Sequence, residues 1–178
     1  MVSGWSQRPA LPTIDELFDG YRSYAWRQET LDVFNVGEDS KITDWLAGRP
    51  AVEEEKAEEW HAMTRANKEM GRPVSRVRLV GHPITLYTAW EVHAYRENIA
   101  AGEEVRILDR NRIADDLNPL WSHDYWLFDD HFVWIMFYDR TGRFRSGTVS
   151  DDVAQFVEHR QRAIEMSVPH SDYSLPAL

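Results

Sequence analysis

Residues 73–108 constrain the fold most, because they place two short apolar runs on either side of one helical run. The first run is SRVRLVG at residues 75–81, and the second is EEVRIL at residues 103–108. Pro83 is expected to open the helix between them, and Gly102 to close it. This strand, helix, strand order predicts a parallel pair of strands joined by a right-handed crossover.

The rest of the chain has the patterns of further helices and strands. Thr13 and Glu16 have the spacing of a helix capping box. Residues 124–149 are typical of an antiparallel meander, in which Asp129 and Asp130 form the first turn. The other predicted elements are a strand at 23–34, helices at 39–48 and 52–71, a second meander turn at 139–142, and a last helix with Ser150 as its N-cap that Pro169 ends.

Together these elements predict an α+β fold with α/β-like features. It consists of one mixed sheet with the parallel unit, a C-terminal antiparallel meander and packed helices. The 178 residues fit a single domain, 1–178, in which residues 1–12 and 170–178 are expected to be peripheral tails. A phospholipase-D-like half shares this order of elements, but its chemistry needs a His-x-Lys pair, which none of the seven histidines provides.

The composition limits the classes of function. A net charge of -10 disfavours direct contact with nucleic acid, since proteins that bind the phosphate backbone gather positive charge. The chain has no cysteine, no run of about 18 apolar residues, and no basic leader followed by an apolar stretch. We therefore expect a cytoplasmic protein that does not bind membranes.

Common signatures of enzymes are missing from the sequence. It contains no G-x-S-x-G, no G-x-G-x-x-G, no G-x-x-x-x-G-K-[ST] and no H-E-x-x-H. The segment SHDYWLFDDH offers imidazole and carboxylate groups, but their spacing matches no metal site, and a hairpin turn explains the paired aspartates. We expect neither a metal nor a cofactor. The imidazole and carboxylate groups of this segment belong to His123, Asp124, Asp129, Asp130 and His131.

Arginines in the two apolar runs are the most unusual polar feature. Strand alternation places Arg76 and Arg78 on one face, with Val77 and Leu79 on the other. Arg106 lies between two apolar residues of the next strand, and parallel pairing is expected to bring it beside them. Three guanidinium groups on one face repel one another unless carboxylates or a bound anion compensate.

Two interpretations of this arginine cluster stay open. In the first, nearby carboxylates complete an internal ion-pair network that fixes the register of the sheet and binds nothing. In the second, the cluster lines a pocket with aromatic walls for a carboxylate or phosphate group. The available carboxylates are Glu29, Glu91, Glu104 and Asp129, and Glu91 shares one helix stripe with Tyr87 and Tyr95. The predicted pocket residues are Arg76, Arg78, Arg106, Glu91, Tyr87, Trp90, Trp126 and Asp129.

The segment FVWIMFY at residues 132–138 is apolar on both faces. Such a strand is expected to be covered on both sides. Core packing is the simpler explanation, and an interface with a second copy or with another protein is the alternative.

The order of these segments resembles an uncharacterised actinobacterial family, whose members are often encoded beside helix-turn-helix regulators of the XRE type. The resemblance rests on SYAWRQET, on residues 75–108, on DYWLFDDHFVWIMFYDRTG and on the last helix, and it covers about residues 17–169. Tyr125 is a mild departure, since Phe is more usual there. The resemblance implies a regulatory or interaction role in a signalling or toxin-antitoxin-like module, and it supplies no catalytic residues.

These observations lead to one hypothesis and two alternatives. The hypothesis is a non-catalytic regulatory or small-anion-sensing domain that works with a DNA-binding regulator or as a homo-oligomer. The first alternative is a diverged phosphodiesterase or nuclease-type toxin that uses Glu91, Asp129 and the arginines. The second is a structural component of a larger assembly.

Overall fold

The structure is a computed structural model that describes residues 10–35, 37, 39–49 and 55–175. Within these residues the protein is built on one mixed sheet of seven strands. The strands are β1 (Ala25–Glu29), β2 (Val74–Val80), β3 (Glu104–Asp109), β4 (Asp124–Phe128), β5 (Phe132–Tyr138), β6 (Phe144–Ser150) and β7 (Val168–Pro169). The α-helices are α1 (Ile14–Gly20), α2 (Asp39–Leu46), α3 (Glu55–Glu69), α4 (Leu86–Ala100) and α5 (Ala154–Met166). Short 3-10 helices follow at Arg110–Ile113, Pro119–Ser122 and His170–Asp172.

The strand order across the sheet is β6-β5-β4-β1-β2-β3-β7. Strands β1, β2 and β3 run parallel, while β4, β5, β6 and β7 pair with their neighbours in antiparallel fashion. This topology confirms the predicted α+β class, with its parallel unit around α4 and its C-terminal meander. The sequence did not predict that β1 lies at the centre of the sheet, nor that β7 pairs with β3.

Helices α1 and α4 each begin after a threonine whose side chain caps them. The predicted capping box is present at α1, where the Thr13 hydroxyl accepts from the Glu16 N–H and the Glu16 side chain accepts in return. The prediction that Pro83 opens the next long helix is wrong, because α4 begins at Leu86. The Thr85 side chain accepts from the Thr88 N–H and so supplies the cap.

The predicted start of the last helix is also wrong. Ser150 ends β6, and its hydroxyl accepts from the Asp152 N–H in a turn rather than capping a helix. Helix α5 begins four residues later at Ala154, after Val153, which offers no side-chain cap. The helix ends at Met166, before Pro169.

The two faces of the sheet are covered by different helices. We call the side that carries Arg76 and Arg78 the front face and the side that carries Val77 and Leu79 the back face. Phe156 and other residues of α5 pack in the back-face core. Helices α1, α3 and α4 pack on the front face, where their contacts divide the apolar residues into two clusters. The buried charges lie on the front face, among these helices.

None of the helices in the described ranges combines the length and the apolar character needed to cross a bilayer.

Candidate functional site

The register of β1 against β2 gathers charged side chains on the front face. Arg27 is the cross-strand partner of Arg76, and Glu29 is the partner of Arg78. Directly opposed residues in a pair of strands project from the same face of the sheet. Two arginines of β2 therefore lie beside an arginine and a glutamate of β1.

Arg76 is held between two carboxylates. Its Nη1 lies 3.0 Å from Glu29 Oε2, and its Nε donates to Glu103 Oε1. The other oxygen of Glu103 accepts from Asn98 Nδ2 at 2.6 Å and from Trp60 Nε1 at 3.3 Å. Two nitrogens of the Arg76 guanidinium, Nε and Nη1, are therefore engaged inside the protein.

Arg78 is buried completely and also has internal partners. Its Nε donates to Glu91 Oε2 at 2.6 Å, across the gap between β2 and α4. Its two terminal nitrogens donate to the Leu79 carbonyl at 3.2 Å and to the Thr88 hydroxyl at 3.4 Å. Both arginines that the sequence singled out in β2 thus belong to an internal network.

Arg27 differs from these two arginines because it is not fully paired. Its Nη2 lies 3.1 Å from Glu29 Oε1, and the side chain keeps 20% of its surface exposed. Its guanidinium carbon lies 5.5 Å from the centre of the Trp126 ring and 5.9 Å from that of Phe34, within range of cation-π attraction. The Nε of Arg27 is buried and has no hydrogen-bond partner. One donor of this guanidinium is therefore unpaired.

The pKa values of the two glutamates beside these arginines are shifted in opposite directions. Burial acts to raise the pKa of Glu29, but the neighbouring arginines, led by Arg27, outweigh it and lower the pKa to about 2. Burial raises the pKa of Glu91 to about 7, although Arg78 opposes this effect. Glu29 is therefore ionised at neutral pH, whereas Glu91 is divided between its charged and neutral forms.

A cleft of about 400 Å³ opens on the front face beside this network. Its charged residues come from β1 and α4, and aromatic rings from several elements form its walls. The lining residues are Arg27, Glu29, Phe34, Tyr87, Glu91, Trp126, Trp134, Met136, Tyr138 and Phe144. This volume is within the usual range for sites that bind small molecules.

The hydrogen-bonding groups of the cleft are unevenly satisfied. Glu29 Oε2 accepts from Arg76 Nη1 and the Tyr95 hydroxyl, Glu29 Oε1 lies 3.1 Å from Arg27 Nη2, and Glu91 Oε2 already takes an arginine N–H. The Tyr138 hydroxyl reaches only a thioether sulfur at 3.5 Å, which is a weak acceptor, and Arg27 Nε has no acceptor. Arg27 Nε is thus a donor without an acceptor, and the Tyr138 hydroxyl donates only to a weak one. A ligand group that accepts hydrogen bonds, such as a carboxylate, matches this cleft.

The structure does not bring Arg106 to this cluster. Arg106 is the cross-strand partner of Val77, so it projects from the back face. There its Nε donates to Ser167 Oγ at 2.8 Å and its Nη2 to the Ser167 carbonyl at 2.7 Å. The expectation that it lies beside Arg76 was wrong because a register one residue away from the assumed one exchanges the two faces.

The other predicted pocket residues divide into two groups. Tyr87, Glu91 and Trp126 line the cleft. Trp90 is half-buried on α4, its ring centre lies 5.6 Å from that of Tyr87, and it is not among the lining residues. Asp129 lies in the turn between β4 and β5, away from the cleft.

The Asp129 carboxylate has a structural role at that turn. It accepts from the backbone N–H groups of residues 22, 23 and 24, at 2.6, 2.7 and 2.9 Å. Asp129 and Asp130 both have positive φ, as a tight hairpin turn requires. Within the described ranges, no three His, Cys, Asp or Glu side chains converge in a group that could hold a metal ion.

Several residues of the site were missed in the sequence. Arg27 and Glu29 fall on one side of the first predicted strand, and this alternation was the available signal for Arg27. Glu103 precedes β3 and pairs with Arg76, whereas the carboxylate that the sequence suggests there is its exposed neighbour Glu104. The aromatic wall residues Phe34, Trp134, Tyr138 and Phe144 come from distant segments, and no local pattern marks them.

Comparison with known protein families gives one further finding. A family model described as a domain of unknown function, DUF6879, matches residues 12–175. The match contains every residue that lines the cleft. A comparison with curated proteins finds no match.

Proposed function

The chain belongs to the DUF6879 family, a domain of unknown function, and we propose that it is a non-catalytic sensing domain whose cleft binds a small planar carboxylate. The observation that carries this proposal is that Arg27, a residue of the cleft lining, has a buried Nε without a hydrogen-bond partner. A buried donor left unpaired is unfavourable by about 1–3 kcal/mol. A ligand oxygen that accepts from this nitrogen removes that cost.

The walls of the cleft support a planar ligand. Trp126, Trp134 and Phe144 present aromatic rings, and aromatic rings pack well against planar groups in offset or edge-to-face arrangements. Arg76 and Arg78 pair with Glu29 and Glu91 and so hold these two lining residues in place. Preorganised groups of this kind lose little conformational freedom when a ligand binds.

Calorimetric titration with three probes of one shape tests the proposal. Benzoate carries the carboxylate, benzamide is its neutral counterpart, and benzylamine is cationic. We expect benzoate to bind and the other two to bind at least about tenfold more weakly, because only the carboxylate accepts charge-assisted hydrogen bonds from Arg27. Equal binding of the three probes, or no binding of benzoate, contradicts the proposal.

Two matched substitutions localise the binding. Arg27→Lys keeps a positive charge near Glu29 but removes the planar fork and the Nε–H, so benzoate binding should weaken about tenfold. Arg106→Lys makes the same change on the back face and should leave binding unchanged. If the two variants lose affinity equally, benzoate does not bind in this cleft.

In this proposal, ligand binding changes the interaction of the domain with a helix-turn-helix regulator in an actinobacterial cytoplasm. The resemblance to proteins encoded beside such regulators supports this partner. The net charge of -10 supports a separate DNA-binding partner, because an acidic chain is poorly suited to bind the phosphates of DNA itself. Affinity capture from the native host should recover a helix-turn-helix protein, and the amount recovered should change when benzoate is added. Recovery of no such regulator contradicts the proposed partner.

A further inference from the structure

Strand β6 is an open edge of the sheet. It lies at the end of the strand order, and within the described part of the chain no strand pairs with its outer side. It has seven residues, of which residues 144–148 are exposed, whereas the opposite edge strand β7 has only two. An edge of this length presents unpaired backbone N–H and C=O groups that can pair with another strand.

The two ends of this edge carry opposite charges. Arg143 directly precedes β6 and Asp151 directly follows it, and both are exposed. Neither forms an ion pair with any residue that the structure describes. The nearby Arg145 is different, because its Nη2 lies 2.7 Å from Asp139 Oδ2. The edge strand is thus positive at its beginning and negative at its end.

The middle residue of β6 is Gly147, which has no side chain. A Cβ atom at Gly147 would overlap the Trp134 indole, which lies against the glycine backbone. A glycine inside a strand also allows another backbone to approach closely. The centre of the edge therefore presents little side-chain bulk to an incoming strand.

We propose that the protein forms a homodimer in which the β6 strands of two copies pair in antiparallel fashion about Gly147. Arg143 lies four residues before Gly147 and Asp151 four residues after it, so antiparallel pairing brings the Arg143 end of each strand to the Asp151 end of the other and both unpaired charges gain a partner. The irregularity in the pairing of β5 with β6 lies between Phe137 and Tyr138. A parallel arrangement places like charges side by side, which disfavours it. The two-fold symmetry closes the assembly and leaves no further open edge at β6. This inference is independent of ligand binding in the cleft.

Sedimentation equilibrium on the full chain and two charge-reversal variants tests the dimer. The wild-type protein should reach twice its 20.9 kDa mass. Arg143→Asp places two aspartates opposite each other, and Asp151→Arg places two arginines opposite each other. Each variant alone should have a dimer dissociation constant raised about tenfold, because attraction becomes repulsion at two symmetric contacts.

Mixing the two variants gives the decisive result. In a mixed pair, Asp at position 143 of one copy meets Arg at position 151 of the other, while the second contact keeps its wild-type residues. The mixture should therefore form heterodimers as tightly as the wild-type homodimer. Arg140→Asp, an exposed change of equal charge outside the paired residues, serves as the control and should leave dimerisation unaltered.

Three results would overturn the proposal. A wild-type protein that stays monomeric at every concentration excludes the dimer. Variants that dimerise like the wild type exclude this register. A mixture no tighter than the separate variants, when circular dichroism shows that both are folded, excludes the pairing of Arg143 with Asp151.

Discussion

Glu91 is the residue of the cleft whose charge changes near neutral pH. Its pKa is raised to about 7 because it is buried, and Arg78 only partly offsets that burial. Below this pKa the side chain is neutral, and above it the carboxylate repels an anionic ligand. The affinity of the cleft for an anionic ligand therefore depends on the pH.

Benzoate binding should accordingly strengthen as the pH falls from 8 to 6. Protonation of Glu91 removes one negative charge from the lining, and the gain in affinity can reach about tenfold per pH unit at most. In Glu91→Gln the side chain stays neutral, so the affinity should be high and nearly constant over this range. Calorimetry at three pH values decides the matter, and a wild-type affinity that rises with pH refutes the assignment.

Helix α5 is held against the sheet by a buried histidine. His159 is 1% exposed, and its Nε2 donates to Gln28 Oε1 on β1 at 2.9 Å. Its Nδ1 lies 3.3 Å from Asn118 Nδ2 and so acts as an acceptor. Burial lowers the pKa of His159 to about 4, because a charged ring is poorly solvated there.

Acid should therefore weaken the docking of this helix. A folded-state pKa below the unfolded value means that stability is complete above about pH 6.5 and is lost as the pH falls towards 4. Between pH 7 and pH 5 this residue should remove about 2 kcal/mol from the free energy of unfolding. Urea unfolding at the two pH values measures this loss. His159→Gln should lose less stability over the interval than the wild type and His131→Gln, and equal losses in all three contradict the account.

Sequence patterns predicted the helices and strands better than the register in which the strands pair. Alternation correctly placed Arg76 and Arg78 on one face, because the pleat of a strand fixes that geometry locally. Register is decided by tertiary packing, so the side on which Arg106 projects could not be read from its own strand. The predicted helix starts were wrong at Pro83, where Thr85 supplies the cap, and at Ser150, whose own hydroxyl accepts from Asp152 N–H in a turn.

At the scale of the whole molecule, the buried charges and the cleft are parts of one arrangement on the front face. Arg76 and Arg78 satisfy the acids around them, and Arg27 retains a free donor beside the aromatic walls. The internal ion-pair network that the sequence left open is present at Arg76 and Arg78, whereas a ligand in the cleft is proposed at Arg27. The cleft itself was not predictable from local patterns, since its lining spans residues 27–144 and forms only when β1 lies between β2 and β4.

The most direct measurement of the central claim is the NMR signal of the Arg27 Nε–H group in protein labelled with ¹⁵N-arginine. The signal is assigned by its loss in Arg27→Lys, and the Arg106 signal serves as an internal reference on the back face. Added benzoate should shift the Arg27 signal in a saturable way and leave that of Arg106 in place. An Arg27 signal that does not respond while benzoate binds, or a shift confined to Arg106, would contradict the assignment of this cleft as the binding site.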